Sequence, residues 1–91
     1  MKVKSLSLYH FESCPFCLIT RTAIRKNRLN VQLRDIQLET EYLNDLFIHG
    51  GKVQVPCLLI ENEIGRCQWL YESSEIIEYL ESYAEQHRQI A

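Results

Sequence analysis

The sequence has no hydrophobic run long enough to cross a membrane, no strong excess of charge of one sign and no internal repeat. A spanning helix needs about 20 consecutive apolar residues, and a surface that binds nucleic acid usually carries a strongly basic balance. Here 10 Lys and Arg residues stand against 12 Asp and Glu residues, mixed along the chain, for a formal net charge of -2. The sequence therefore predicts neither a membrane nor a nucleic acid as partner.

The first residues also lack the pattern of a secretory signal. Their apolar stretch is short and is broken by Ser5 and Ser7, whereas a signal carries about 7–15 apolar residues in its central region. We therefore expect a cytoplasmic protein. The 91 residues fit one domain, residues 1–91, and we expect a monomer.

Hydrophobic periodicity predicts seven elements in the order β-α-β-α-β-β-α. The predicted strands cover 6–11, 31–36, 57–60 and 68–71, and the predicted helices cover 15–26, 41–49 and 73–86. The first β-α-β unit implies parallel strands, and the short turn between the last two strands implies an antiparallel hairpin. The expected fold is a mixed four-stranded sheet with helices on both faces, which is the thioredoxin fold in its shortest form.

The first predicted helix opens at Pro15, whose missing N–H would have no helical partner in the first turn. Basic residues cluster toward its carboxyl end, where the helix dipole favours them. The residues at helical spacing that we expect to form its apolar face are Leu18, Ile19, Thr22, Ala23 and Lys26.

Two of the four cysteines form the run Cys14-Pro15-Phe16-Cys17 at this strand-to-helix turn. The free N–H groups and the dipole of a helix amino terminus stabilise a thiolate, which is the nucleophile of disulfide exchange. Cys17 follows nearly one turn later, close enough to attack a mixed disulfide on Cys14. We assign Cys14 as the attacking nucleophile and Cys17 as the resolving thiol.

Zinc binding and two inert core cysteines are the alternatives for this pair. A zinc site needs further ligands, but Cys57 and Cys67 are not spaced as a second pair, and His10 would have to join across the helix start. The expected site therefore contains no metal.

Three short motifs in this order resemble the glutaredoxins and the amino-terminal, thioredoxin-fold domain of glutathione transferases, over nearly the whole chain. Cys14 to Cys17 matches the dithiol glutaredoxin active site. Val55-Pro56 matches the step before the third strand, and Glu72-Ser73 matches the motif that opens the last helix. The resemblance implies a minimal glutaredoxin-like form of the fold.

The resemblance also implies a glutathione site, with glutathione as co-substrate. In these families the residue before a cis proline offers its backbone to the glutathione cysteine, which assigns that role to Val55 and the cis bond to Pro56. The acidic-Ser pair, here Glu72 and Ser73, binds the γ-glutamyl end.

One position departs from the family pattern. Many glutaredoxins have a lysine three residues before the first cysteine, where this sequence has Phe11. Lys52 matches another basic position of the family and is the expected substitute, with Arg21 as a weaker candidate. Phe16 and Pro15 are expected to shape the active-site groove, and Tyr9 to line it from the strand end.

The resulting hypothesis is an enzyme that reduces disulfide-bonded or glutathionylated proteins. The alternatives are an iron–sulfur protein that ligates a shared cluster through Cys14, and a non-catalytic module that binds glutathione or protein. Conjugation of glutathione to electrophiles would need an added helical domain. Cys57 is expected to be an inert core thiol. Cys67 lies near the hairpin and is also expected to be structural, with an accessory thiol role as the alternative.

Overall fold

Strand β1 (Val3–His10) lies inside a four-stranded sheet whose strand order is β2-β1-β3-β4. The structure is a computed structural model, and it describes residues 2–88. Strand β2 (Gln32–Asp35) pairs parallel with β1, and β3 (Cys57–Asn62) pairs antiparallel with its other edge. Strand β4 (Cys67–Leu70) pairs antiparallel with β3. The predicted mixed sheet is confirmed.

Three helical elements connect these strands. Helix α1 (Pro15–Lys26) joins β1 to β2, and helix α3 (Ser73–Arg88) follows β4. Helix α2 (Thr40–Asp45) continues directly into a wider π-helical segment, Leu46–Gly50, which ends at Gly51 in a left-handed conformation with φ of 95°. The predicted element order is confirmed, and the second helix is divided between two hydrogen-bonding patterns.

The two faces of the sheet carry different hydrophobic clusters. The first cluster joins β1 and β3 to helices α1 and α3, and its buried members are Leu6, Leu8, Ile24, Leu58, Ile60, Ile76 and Leu80. The second lies on the face covered by α2 and the π-helical segment, and its buried members are Tyr9, Leu46 and Cys57. Helices therefore cover both faces, as the alternation of side chains along each strand requires.

The predicted apolar face of α1 is wrong for most of its members. Leu18 and Ile19 are 53% and 49% exposed, and Thr22 and Lys26 are also exposed. The buried residues of this helix are Cys17, Thr20, Arg21, Ala23 and Ile24. The buried face lies nearly opposite the predicted one and shares only Ala23 with it, because α1 packs through the stripe that begins at Cys17.

No helix within residues 2–88 is both long enough and apolar enough to cross a membrane.

Candidate active site

Cys14 is the cap residue of α1. Its backbone is extended, with φ of -77° and ψ of 120°, and Pro15 is the first helical residue. The backbone N–H of Cys17 donates to Cys14 Sγ at 3.4 Å, in the position where a Ser or Asp oxygen caps other helices. The sulfur is therefore held against the open N–H groups of the helix amino terminus, as the sequence predicted.

Cys17 lies beneath Cys14 in the core. Its relative exposure is 0%, against 7% for Cys14. Burial raises the pKa of the Cys17 thiol to about 12, and a hydrogen bond to the Cys14 side chain adds to this rise. Cys17 therefore remains a thiol at neutral pH, whereas Cys14 is the sulfur nearer to solvent. The roles of attacking and resolving cysteine stay a prediction, and the difference in burial is the observation that bears on them.

Arg21 holds the loop that precedes Cys14, and this role was not predicted. The side chain is only 9% exposed. Its guanidinium lies 3.0 Å from His10 Nδ1 and donates to the backbone carbonyls of Phe11 and Glu12 at 3.3 and 3.1 Å. Its guanidinium is thus occupied below the active-site loop, which makes Arg21 a poor anchor for a glutathione carboxylate.

The neutral form of His10 fits this arrangement. Burial is the main cause that lowers the pKa of His10, and the charge of Arg21 lowers it further. A neutral imidazole can accept at Nδ1 from the guanidinium, whereas a protonated one cannot.

The peptide bond between Val55 and Pro56 is cis, as the resemblance implied. Pro56 is buried, and Val55 is half-buried. The next residue, Cys57, pairs with Tyr9 across the antiparallel ladder. Pro56 therefore lies beside the end of β1, where the loop to Cys14 begins.

Glu72 and Ser73 reach the same edge of the sheet. Strand β4 is antiparallel to β3 and so runs in the direction of β1, and α3 begins three residues after it at Ser73. The Glu72 carbonyl accepts the Ile76 N–H at 2.9 Å, so Glu72 takes the cap position and Ser73 is the first helical residue. The first N–H groups of α3 have no partner within the helix and suit a carboxylate.

Tyr71 connects these two motifs, although no motif in the sequence indicates it as a site residue. Its hydroxyl donates to the Lys52 carbonyl at 3.2 Å and hydrogen-bonds the Cys57 side chain. The Lys52 ammonium lies 4.7 Å from the centre of the Tyr71 ring. Lys52 is thereby held beside the residue that precedes Glu72, and its role in binding glutathione stays a prediction.

Gly50 makes the approach of Tyr71 possible. A Cβ at this position would collide with the Tyr71 hydroxyl and would lie 3.1 Å from the Trp69 ring. The signal in the sequence at this position is the Gly50-Gly51 pair, which is equally typical of a plain helix end.

The structure does not bring every predicted residue to the cysteines. Phe16 is 60% exposed on the surface of α1, consistent with a groove-shaping role. Tyr9 is buried on the face of the sheet covered by α2, where it contacts Tyr42 and Trp69 and accepts a hydrogen bond from Arg34 at 2.6 Å.

Tyr9 lines a cavity of about 400 Å³ whose lining does not include the cysteine pair. The cavity is lined by Tyr9, Arg34, Asp45, His49, Leu59, Glu61, Cys67 and Trp69. Within residues 2–88, no three His, Cys, Asp or Glu side chains are grouped so as to hold a metal ion.

The sequence model of one family, described as the glutathione S-transferase N-terminal domain, matches residues 8–88. No curated protein sequence matches the chain.

Solved structures confirm the thioredoxin fold. A mutant of the thioredoxin-like protein BC3987 superposes with a TM-score of 0.71 at 19% identity, over 87% of this chain and 96% of that one. A maleylacetoacetate isomerase from Anaeromyxobacter dehalogenans, crystallised with glutathione in its active site, gives 0.70 at 23% identity over 92% of this chain. This chain spans only 39% of that isomerase. A glutaredoxin from Brucella melitensis gives 0.57 at 11% identity over 97% of this chain and 89% of that one.

Proposed function

Because the chain belongs to the glutathione S-transferase N-terminal domain family, we propose that it is a glutathione-dependent thiol–disulfide oxidoreductase of the dithiol glutaredoxin type. One observation carries this proposal. Cys14 caps an exposed helix amino terminus, and the buried Cys17 thiol hydrogen-bonds it from below. A nucleophile and a resolving thiol require this arrangement, whereas a purely structural thiol does not need to cap a helix.

The chemistry begins at Cys14. Its thiolate attacks the glutathione sulfur of a glutathionylated protein, the protein leaves as a thiolate, and a disulfide between Cys14 and glutathione forms. A second glutathione thiolate can attack this disulfide and leave as glutathione disulfide. Alternatively, Cys17 attacks Cys14 Sγ, glutathione leaves as a thiolate, and a Cys14–Cys17 disulfide remains. The second route extends the activity to disulfides within proteins.

The distance between the two strand ends at this edge is comparable to the length of glutathione. Strands β1 and β4 are two positions apart, which is about 10 Å at the usual strand spacing. An extended tripeptide spans at most about 10 Å. We assign the Val55 backbone beside Pro56 to the cysteine of glutathione, and the helix start at Glu72 and Ser73 to its γ-glutamyl end. Lys52 supplies a positive charge near this end.

The proposed substrates are glutathionylated or disulfide-bonded proteins, in a reducing compartment such as the cytoplasm. There the glutathione pool can regenerate the enzyme. The same proposal treats the protein as a monomer, and size-exclusion chromatography with light scattering tests this.

A glutathione-coupled reduction assay on wild type, Cys14→Ser and Cys17→Ser tests the proposal. Cys14→Ser should lose all activity, because Cys14 is the thiol that caps the helix, whereas Cys17 is completely buried. Cys17→Ser should keep activity on glutathione mixed disulfides and lose it on protein disulfides. Cys67→Ser is the matched control, since Cys67 is exposed and outside the pair, and it should behave as wild type. Full activity in Cys14→Ser would contradict the assignment.

The family match favours a second candidate, a module that binds glutathione without turning it over. The matching family is named for transferases rather than glutaredoxins. Under this alternative, calorimetry would detect glutathione binding to wild type and to Cys14→Ser alike, and the coupled assay would show no turnover in either protein.

A further inference from the structure

Arg21 is a buried cation four residues after Cys17 on the buried face of α1. We propose that Arg21 is a positioning residue for the resolving step, in which its charge favours the Cys17 thiolate and its hydrogen bonds hold Cys14 within reach. This inference rests on the proposed function, because only a dithiol mechanism uses Cys17 as a nucleophile.

Helix geometry places Arg21 and the resolving Cys17 on the same face of α1. Residues four apart on a helix are neighbours on one face, and both side chains belong to the buried face, with 0% exposure for Cys17 and 9% for Arg21. Arginine is almost never buried to this extent unless it is paired. The acceptors that Arg21 binds within residues 2–88 are neutral, namely an imidazole nitrogen and two backbone carbonyls. Because none of these acceptors carries a charge, they do not neutralise the guanidinium charge.

The resolving thiol needs this charge. Cys17 must ionise before it attacks, and burial, together with the hydrogen bond to Cys14, raises its pKa. A hydrogen bond with the Phe11 backbone and the positive charge of Arg21 both lower the pKa of Cys17 against this effect. In a poorly solvated site, a neighbouring opposite charge is one of the few means of favouring the thiolate. The thiolate of Cys14, by contrast, is stabilised by the N–H groups of the helix amino terminus.

The hydrogen bonds of Arg21 act on the position of Cys14. The Phe11 carbonyl accepts both from Arg21 and from the Cys14 backbone N–H, at 3.3 Å each. The Glu12 carbonyl is held by the second nitrogen of the same guanidinium. The loop that ends at Cys14 is therefore tied to the helix turn that follows Cys17.

The step balances without a further reagent. Cys17 gives its proton to water, and its thiolate then attacks Cys14 Sγ. The bond between Cys14 and the glutathione sulfur breaks, and glutathione leaves with the electron pair as a thiolate. The products are a Cys14–Cys17 disulfide and reduced glutathione.

Three variants separate charge from hydrogen bonding. Arg21→Gln removes the positive charge. Arg21→Lys keeps the charge but loses the planar guanidinium, whose paired N–H groups donate to the two carbonyls. Arg25→Gln is the control, because it removes an exposed charge one turn further along the same helix. Each reduced protein is mixed with glutathione disulfide and quenched in acid. Mass spectrometry then measures the Cys14–glutathione adduct and the Cys14–Cys17 disulfide over time.

We expect the adduct to accumulate in Arg21→Gln. A rise of one unit in the pKa of Cys17 lowers its thiolate fraction about tenfold. A more basic thiolate is also a better nucleophile, which recovers part of the lost rate. The net result is a resolving step that is about threefold slower for each unit of pKa. Arg21→Lys should resolve within about threefold of wild type, and Arg25→Gln should match wild type.

The pH profile distinguishes this role from a merely structural one. The rate of the resolving step increases with pH as Cys17 ionises, and in Arg21→Gln this increase should occur at higher pH. A loosened loop alone would instead lower the rate at every pH. His10 is a titratable group in contact with Arg21, and the charges of Asp35 and Glu12 act on it. Its lowered pKa keeps it neutral across the alkaline range in which the profile is recorded.

Each outcome decides the inference. An unchanged rate and profile in Arg21→Gln would overturn it while leaving the proposed function intact, because the adduct on Cys14 still forms. A wild type that never forms the adduct would overturn the proposed function itself. If Arg21→Gln does not fold, the result for Arg21→Lys decides: near-normal resolution supports the charge effect, and a loss above about tenfold in a folded protein contradicts it.

Discussion

The two faces of the sheet are built from different kinds of side chain. The face toward α1 and α3 is packed almost wholly by aliphatic residues, with Leu8, Leu58, Ile76 and Leu80 completely buried. The face toward α2 combines aromatic rings with polar groups, and its buried members include Tyr9 and the Cys57 thiol. Hydrophobic burial is non-directional, whereas hydrogen bonds and ring contacts require a defined geometry.

This difference separates stability from positioning. The aliphatic face can supply most of the driving force for folding, because each fully buried aliphatic side chain contributes about 1.5–3 kcal/mol. The polar groups at the edge of the other face, Tyr71 and Cys57, fix the segment from Lys52 to Pro56. The Lys52–Pro56 part of the proposed glutathione site thus depends on the face that contributes less to folding.

Truncation in the aliphatic face should give the largest effect. Ile76→Ala removes a side chain with 0% exposure, so we expect a loss of about 2–5 kcal/mol in the free energy of unfolding. Urea unfolding followed by circular dichroism measures this loss. Ile77→Ala, at the half-buried neighbouring position, is the matched control and should cost clearly less. Equal losses at the two positions would contradict the division between the faces.

Gly50→Ala tests the geometric demands of the other face. The added methyl group would meet the Tyr71 hydroxyl and the Trp69 ring, so we expect a loss of about 1–3 kcal/mol from overpacking. Glutathione binding, measured by calorimetry, should weaken as well, because Tyr71 holds the Lys52 segment.

A double-mutant cycle isolates the hydroxyl contact. In a Tyr71→Phe background the methyl group of Gly50→Ala meets one atom fewer, so its cost should fall. Strictly additive costs would show that the clash with Tyr71 is not what makes glycine necessary at this position.

Alkaline pH should act most gradually, with a loss of stability that is spread over a wide range and is small within any one pH unit. Burial raises the pKa of Cys57 from an ordinary value of 9.0 to about 12. Between these values the unfolded chain ionises before the folded one and binds fewer protons, so stability falls as pH rises, by up to about 1 kcal/mol per pH unit. Chemical denaturation at a series of pH values, under reducing conditions, measures this slope.

Cys57→Ala should flatten the slope without abolishing it, because Cys17 has a similar shift. Cys67→Ala, which removes an exposed thiol, should leave the slope unchanged. A slope that survives Cys57→Ala at full size would assign the effect to other groups.

Patterns that are local in sequence were predictable. The alternation along β1 and β3, the capping position before Pro15 and the glycines after the second helix all depend on neighbouring residues. The apolar face of α3 was predictable from its spacing, since Ile76, Leu80 and Ala84 stand four residues apart and are all buried. The face of α1 was not, because Leu18 and Ile19 are as apolar as a core stripe and local spacing does not say which side meets the sheet.

The same limit applies to the candidate site. Arg21 has the sequence signature of a solvated helix cation, and only the packing of α1 shows that it lies beneath the active-site loop. Tyr71 and Lys52 are far apart in sequence but joined by a hydrogen bond. Nothing in the residues between them indicates this contact.

The sequence by itself determined the order of the elements and the presence of two cysteines at a helix start, because capping, turn chemistry and periodicity act between residues close along the chain. Only the tertiary structure decided which cysteine is the more buried, where the guanidinium of Arg21 lies and how Tyr71 reaches the Lys52 segment. These features arise from contacts between elements that are distant in sequence. The surroundings of each side chain form only when helices pack on both faces of the sheet.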